Sequence, residues 1–256
     1  MKLRKYSLFS AVVGALALTA VLAPSAKATQ TLVYFNFEDG TFNSVPAPGP
    51  NPPGYPFLQT TSITNNTFPA GQLVVAPAQG TILNQLTGDT PTTNSALDAM
   101  GNEPRGGEFC FQFGANTTGM TTLSLSFALN SVRGTTPNSD PFSTLALFYA
   151  TVPSPTAGDF TQIGSNITIS IGTGYYVIGP INLPAGTLNQ ANLTLEFCFS
   201  GAKNSNGGAH TYIDNIQLNG AGVPEPSSYI GALVGILGLC WFQRRWLVRS
   251  LRLRRA

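Results

Sequence analysis

The stretch Thr121–Leu129, TTLSLSFAL, decides the fold class of this chain. Leucine or phenylalanine occupies every second position from Leu123 onward, and serine or alanine fills the positions between them. Because successive side chains of a strand point to opposite faces, this alternation predicts a β-strand with one buried face and one more polar face. The apolar stretch that precedes it, Glu108–Phe113, predicts a second strand.

Further strands are predicted on both sides of this pair. They are Thr31–Phe37, Gln72–Ala76, Gly80–Leu86, Ser143–Thr151, Asn166–Ile171, Tyr175–Ile181, Asn192–Ser200 and Thr211–Leu218. The polar stretch Thr87–Gly107 predicts no strand, and the Pro-rich stretch Val45–Pro56 predicts a long loop. No segment between 29 and 223 has sustained helical periodicity. Short strands between glycine, proline and asparagine turns indicate an all-β antiparallel sandwich or barrel.

The N-terminus has the pattern of a secretory signal peptide. Basic residues precede the apolar stretch Leu8–Leu22, which is followed by the small-residue site Ala26-Lys27-Ala28. We therefore predict a signal-peptide helix in residues 1–28, handled by the Sec machinery and cleaved by signal peptidase before Thr29. An uncleaved membrane anchor is the alternative.

The C-terminal segment 223–256 has three parts in a fixed order. Pro224-Glu225-Pro226 comes first, an uncharged apolar run from Tyr229 to Phe242 follows, and a tail with six arginines ends the chain. The pattern predicts a single transmembrane helix at about 228–243, with the basic tail 244–256 on the cytoplasmic side. A buried core helix is the alternative, but a run of arginines at its end argues against it.

This order of motifs resembles the PEP-CTERM sorting signal of exported bacterial proteins. Pro224, Glu225 and Pro226 match its motif, and Arg244 and Arg245 match the start of its basic cluster. The resemblance implies a chain held in the inner membrane until an exosortase-type transpeptidase acts near the motif. It also implies export to the cell surface or the extracellular polysaccharide. The tail here runs about ten residues past Arg245, longer than the family pattern.

The charge of the body between the two signals differs from that of the whole chain. The formal charge of the chain is +2, but residues 29–223 contain three cations against ten acids, a formal charge of −7. The body therefore lacks the basic surface that nucleic-acid binding requires, and its mild acidity suits an exported protein. We predict one domain over residues 29–222.

Two of the three cysteines lie in matching settings. Cys110 follows Glu108-Phe109, and Cys198 follows Glu196-Phe197. Both lie in predicted strands, and export favours oxidation, so we predict a Cys110–Cys198 disulfide. Two buried free thiols on neighbouring strands are the alternative.

The two ends of the body resemble those of jelly-roll carbohydrate-binding-module-like domains. The opening stretch Phe35–Gly40 and the closing stretch Tyr212–Ile216 carry the resemblance. It implies a jelly-roll-like β-sandwich in which a structural Ca²⁺ bridges the first and last strands. Glu38 and Asp214, helped by Asp39, would be its ligands. The alternative is that Glu38 and Asp39 form a turn, while Asp214 bonds to backbone.

The sequence offers little for catalysis. His210 is the single histidine, which excludes a multi-histidine zinc site, and no spacing selects a pair of acids for glycoside hydrolysis. We expect no enzyme. The hypotheses that remain are a structural or adhesive surface protein and a lectin-like module that binds extracellular polysaccharide. For the second, the candidate stacking residues are Tyr55, Tyr149, Tyr175, Tyr176 and Tyr212.

Overall fold

A computed structural model describes most of the body of the chain. The described residues are 29–44, 59, 61–86, 89, 93–100, 108–135, 139–172, 174–203 and 208–222, with 238 and 241. Residues 28–222 form one of two compact units. The predicted signal peptide, the Pro224-Glu225-Pro226 motif, the basic tail and nearly all of the predicted transmembrane segment lie outside the described residues. Among the residues that are described, no helix has the length and apolar character needed to cross a membrane.

The described residues form short strands joined by turns, with two single-turn 3₁₀ helices at Ala157–Asp159 and Ala185–Thr187. The strands are β1 Thr29–Phe35, β2 Thr64–Asn65, β3 Leu73–Ala76, β4 Ala96–Ala99, β5 Phe109–Ala115, β6 Met120–Val132, β7 Thr144–Ala150, β8 Thr161–Gln162, β9 Ile167–Thr168, β10 Tyr176–Asn182, β11 Leu193–Ser200 and β12 His210–Gly222.

These strands pair into two antiparallel sheets. Sheet 1 has the order β10-β6-β12-β4-β3, and β1 pairs with the C-terminal half of β12. Sheet 2 has the order β2-β5-β11-β7-β8, and β9 also pairs with β7. From β4 to β7 each successive strand changes sheet, as do β10, β11 and β12, which is the connectivity of a jelly roll. The predicted all-β antiparallel sandwich is confirmed.

Phenylalanines from the two sheets meet in the core. The ring of Phe127 on β6 lies 5.3 Å from that of Phe197 on β11, and Phe35 on β1 lies 5.1 Å from Phe113 on β5. All four side chains are buried. Because aromatic rings bury large areas and pack in edge-to-face pairs, these contacts fix one sheet on the other.

A β-bulge interrupts the alternation of β12. Ile213 and Ile216 are both fully buried in the core, although they are three residues apart. The pairing with β6 shifts between Asp214 and Gln217, and Asn215 adopts a φ of 51°. Two consecutive polar side chains, those of Asp214 and Asn215, therefore leave the core on the outer side of sheet 1.

The strand prediction was wrong for the segment Gly80–Leu86, and it missed β4 and the two-residue strands β2 and β8. Gly80–Leu86 is a loop, because Ala78 and Asn84 have φ values of 58° and 59° that end an extended chain. The stretch Thr87–Gly107, predicted to be without strands, contains β4. Its sequence Ala-Leu-Asp-Ala has little intrinsic preference for strands, and its pairing with β12 and β3 keeps it extended.

Candidate functional site

A row of side chains crosses the outer face of sheet 2. The phenylalanines and leucines of β5 and β11 fill the core, so the residues between them face outward. The register places Gln112 opposite Glu196 and Glu196 opposite Phe148. Thr64 and Gln162 extend the row at its two ends. We call these five residues the sheet-2 row.

Glu196 is the charged group at the centre of the sheet-2 row. Its side chain is largely buried, with the residue 7% exposed, and Asn66 donates a hydrogen bond from Nδ2 to its Oε1 at 2.6 Å. Burial and the nearby charge of Glu108 raise the pKa of Glu196, against the opposing effect of the Asn66 hydrogen bond. The oxygen Oε1 of Gln112 is also buried and has no donor among the described residues. The row therefore contains one buried acceptor that the described chain leaves without a donor.

The disulfide forms the next row on the same face. Cys110 and Cys198 lie directly opposite each other and are bonded, with an S–S distance of 2.06 Å. Phe148 packs against this disulfide and Ala146 and is half-buried. Part of its ring consequently remains open to solvent. Phe148 is an aromatic surface on this face that the sequence analysis did not identify.

A groove opens beside the sheet-2 row, on the side opposite the disulfide. Gly114 and Thr194 lie opposite each other, two residues along the strands from Gln112 and Glu196, so they lie about 7 Å from the row. The groove has a volume of about 290 Å³. Its lining is uncharged and consists of Gln59, Thr61, Gly114, Ala115, Asn116, Val152, Pro153, Ser154, Ala191, Asn192, Leu193 and Thr194.

A second cavity, of about 400 Å³, shares Gln59 and Asn116 with the groove and is also lined by uncharged residues. Gln59 and Asn116 bond to each other through two hydrogen bonds, from Gln59 Nε2 to the Asn116 carbonyl and from the Asn116 amide to Gln59 Oε1. Their paired amides form a fixed ridge between the two cavities. Neither cavity could be predicted from local sequence patterns, because residues from distant parts of the chain line both cavities.

The outer face of sheet 1 is covered by the loop 77–86. Asn215 donates from Nδ2 to the carbonyls of Thr81 and Leu83 at 2.6 and 2.9 Å, and Asn84 donates to the Asn215 carbonyl at 2.7 Å. Gln217 donates to the carbonyl of Asn84. The side chains that the bulge turns outward therefore tie the loop down onto the sheet.

Asp214 lies beneath this loop. It is 1% exposed and accepts hydrogen bonds from the amides of Thr81 and Asn215 at 2.8 and 2.7 Å. Burial raises the pKa of Asp214 to about 8, and the charges of Glu38 and Asp89 add to this rise. At neutral pH the folded protein thus favours the neutral acid in the absence of a cation.

The other two predicted calcium ligands, Glu38 and Asp39, each accept hydrogen bonds from different parts of the chain. Burial opposes ionisation of Glu38, but hydrogen bonds from Thr93, Asn94 and Ser95 outweigh it and lower its pKa. Asp39 is exposed and accepts bonds from the amide and hydroxyl of Thr41 in its own turn. Among the described residues, no group of three acidic, histidine or cysteine side chains that includes these ligands has its atoms within 4.8 Å of one another.

Glu38 and Asp214 nevertheless fit a hard cation. Their charges interact, and Asp89, which the sequence analysis missed, contributes a third acid to the same area. No Lys or Arg among the described residues forms an ion pair with Asp214 or Asp89. Asp39 lies in an exposed turn, where both of its oxygens accept bonds from Thr41. The calcium site remains a prediction, with Glu38 and Asp214 as ligands.

His210 pairs with an acid that the sequence analysis did not consider. Its Nδ1 lies 2.8 Å from Oδ2 of Asp98 on β4, and its ring stacks on Tyr212 at 5.5 Å. Asp98 was missed because β4 was missed. Among the described residues, no serine, threonine or cysteine forms a hydrogen bond with His210.

The tyrosines proposed as stacking surfaces are largely covered. Tyr149, Tyr175 and Tyr176 are half-buried, and Tyr212 is 9% exposed. Tyr149 and Tyr176 pack against the core, and Tyr175 donates a hydrogen bond to the Gln79 carbonyl. Tyr55 lies outside the described residues. The four described tyrosines therefore offer little exposed ring surface for stacking.

Comparison with known proteins gives similarity at the level of the fold. No protein-family model matches the chain, and no curated protein matches it. Among solved structures, a CBM22 xylan-binding domain from Paenibacillus barcinonensis is 12% identical, with 78% of this chain and 100% of that chain covered and a TM-score of 0.42. The K1 cleaved adhesin domain of Lys-gingipain from Porphyromonas gingivalis W83 is 12% identical, with 75% and 97% covered and a TM-score of 0.43. At these scores neither likeness carries an argument about function.

Proposed function

We propose that the body is a non-catalytic module that binds glycans on the outer face of sheet 2. The observation that carries this proposal is the sheet-2 row, in which Phe148, Glu196 and Gln112 lie side by side next to an uncharged groove. A sugar has apolar ring faces and many hydroxyl groups. An aromatic surface, fixed acceptors and a lining of amides and hydroxyls match both features.

The absence of catalysis is part of the proposal. Its support is that His210 is engaged with Asp98 and Tyr212 and has no hydroxyl or thiol partner among the described residues. A nucleophile–base pair of the usual kind requires such a partner. Glu196 is held by Asn66 and serves in the proposal as a fixed hydrogen-bond acceptor.

The module is proposed to work outside the cell. The signal peptide in residues 1–28 would export the chain, and the segment 223–256 would hold it in the inner membrane for an exosortase-type transpeptidase. The support is the sequence pattern of Pro224-Glu225-Pro226, the apolar run and the arginines that begin at Arg244 and Arg245. Release at the cell surface would place the sheet-2 row in contact with extracellular polysaccharide.

Retention on insoluble polysaccharides tests the glycan proposal. We expect the purified protein to be retained on at least one member of a panel and Phe148→Ala to weaken retention at least tenfold, about 1.4 kcal/mol. Val177→Ala is the matched control, because Val177 is 44% exposed on β10 of the opposite sheet. Both variants should keep the thermal midpoint within a few degrees. Unchanged retention of Phe148→Ala would contradict the site, and no retention on any member would favour a structural or adhesive role.

The native mass of the protein recovered from the cell surface or medium tests the sorting proposal. A chain that begins at Thr29 and ends near Pro226 is the expected result. A mass that still includes Ala256 would contradict processing by a transpeptidase.

A further inference from the structure

The sheet-2 row contains an acceptor that a ligand can satisfy. Glu196 is 7% exposed and accepts a hydrogen bond from Asn66, whereas the buried Oε1 of Gln112 has no donor among the described residues. Buried acceptors left without donors cost free energy, so a ligand that supplies donors gains affinity there. This inference rests on the proposed glycan-binding function and concerns the class of glycan.

A second acid reinforces the negative charge of this face. Glu108 is exposed, and its carboxylate lies within 4.8 Å of the sulfur atoms of Cys110 and Cys198. Cys198 is two residues from Glu196 on the same face of β11, so both acids border the disulfide. The negative charge of Glu108 interacts with Glu196 and raises the pKa of the Glu196 carboxyl.

No cation of the described chain neutralises these acids. The described residues include two Lys or Arg side chains, Arg133 and Lys203, and both pair with Asp140, at 3.0 and 3.9 Å. Neither lies within ion-pair distance of Glu108 or Glu196 among the described contacts. The groove next to the row is uncharged and adds no positive group.

We propose that the preferred ligand is a polysaccharide that carries free primary amines, such as a chain of 2-amino-2-deoxyhexose units. An ammonium group donates up to three hydrogen bonds, and its bonds to carboxylates are charge-assisted and about twice as strong as neutral ones. Uronic or sulfated chains are repelled by the same two acids. An N-acetylated sugar offers a single amide donor and no charge.

Calorimetric titration with soluble oligosaccharides of equal length tests this specificity. The probes are oligomers of glucosamine, N-acetylglucosamine, glucose and galacturonic acid. We expect the glucosamine oligomer to bind at least tenfold more tightly than the N-acetylated and glucose oligomers, and the galacturonic acid oligomer to show no binding. The difference between the amine and N-acetyl forms should shrink as salt is added.

Glu196→Gln separates a specific site from general attraction. The glutamine keeps an acceptor for Asn66, so the fold should persist, and we expect at least tenfold weaker binding of the glucosamine oligomer with binding of the glucose oligomer changed less than twofold. Asp159→Asn is the matched control, because it removes one exposed negative charge from a turn between β7 and β8. It should leave all affinities unchanged.

The outcomes distinguish this inference from the proposed function. Equal binding of the amine and glucose oligomers, or an equal loss in Asp159→Asn and Glu196→Gln, would overturn the amine preference and leave glycan binding intact. Failure of every oligomer, together with failure of the polysaccharide panel, would overturn the glycan-binding function itself.

Discussion

The outer faces of the two sheets contain similar chemistry and use it differently. Each has a buried acid near its centre, Asp214 on sheet 1 and Glu196 on sheet 2, exposed by 1% and 7%. The oxygens of Asp214 accept from two backbone amides, one of them in the loop that covers it. Glu196 accepts one side-chain hydrogen bond, from Asn66 in the turn that follows β2.

The difference teaches how a buried acid can be assigned to structure or to binding. Where the chain supplies the donors and closes over them, the acid stabilises a loop. Where a buried acceptor lacks a donor beside an open groove, as Gln112 Oε1 does, the missing donor comes from water or a ligand. Burial of the acid alone does not separate these two cases.

The largest expected effect is the pH dependence of stability that Asp214 causes on sheet 1. The pKa of Asp214 is raised to about 8 in the folded protein and is about 3.9 in the unfolded chain. The contribution of Asp214 to the free energy of unfolding is therefore fully present below pH 4 and is lost as pH rises towards 8. The loss is roughly 5 kcal/mol at most. Asp214→Asn should flatten this part of the profile, as measured by chemical denaturation in calcium-free buffer. An unchanged slope would show that other acids cause it.

Calcium sharpens the same comparison. A bound cation keeps Asp214 ionised, so Ca²⁺ should raise the thermal midpoint of the native protein more at pH 8 than at pH 5. Asp214→Asn should lose most of this gain, whereas Asp39→Asn should retain it because Asp39 bonds within its own turn. A calcium response that survives Asp214→Asn unaltered would exclude the predicted site.

The next effect concerns the disulfide beneath the sheet-2 row. The Cys110–Cys198 bond closes a loop with a sequence separation of 88. Replacing both cysteines by alanine should therefore destabilise the domain by roughly 4 kcal/mol, by denaturant titration. Because Phe148 packs on the disulfide, glycan retention should weaken as well, even under conditions in which the variant is folded. Full retention would mean that Phe148 is positioned by β7 alone.

The sequence predicted the sandwich because alternation is a local property. The leucines and Phe127 of β6 and the phenylalanines of β5 show it directly, and the strands around them followed from the same rule. It failed at β4, whose extended form depends on its partners, and at Gly80–Leu86, whose polar ties come from β12. Tertiary contacts decided both, and no local pattern contains them.

The candidate site residues also divide into those that local motifs indicate and those that only strand register brings together. Glu38 and Asp214 were predicted from motifs at the two ends of the body, and their role as calcium ligands stays a prediction. The sheet-2 row was missed, since its members come together only through the register of β5, β11 and β7. One signal was available: the repeated Glu-Phe-Cys-Phe setting of Glu108 and Glu196 puts each glutamate on the same face as its cysteine.

A smaller effect tests the polar ties of the sheet-1 loop. Asn215→Ala removes the donors to the carbonyls of Thr81 and Leu83 and should cost about 1–3 kcal/mol. Hydrogen exchange should locate the change in residues 77–86, and the sheet-2 row should keep its protection. Asn43→Ala is the control, because Asn43 is exposed and its side chain accepts a hydrogen bond from Ser62, which forms no hydrogen bond with the loop among the described residues. Loosening of both faces would mean that they are coupled.

The smallest expected effect lies at the tip of the same loop. Ile82 is 70% exposed, so Ile82→Ser removes little buried surface and should change stability by less than about 0.5 kcal/mol. The result matters because it separates two explanations of how the loop is held. If polar ties to β12 hold it, the apolar tip contributes nothing, and Ile82→Ser matches the native protein at every concentration. A thermal midpoint that falls on dilution for the native protein but not for Ile82→Ser would instead show that the tip is buried against a second copy in solution. The covered face of sheet 1 would then be an interface, and its contrast with the open face of sheet 2 would be a contrast between two binding surfaces.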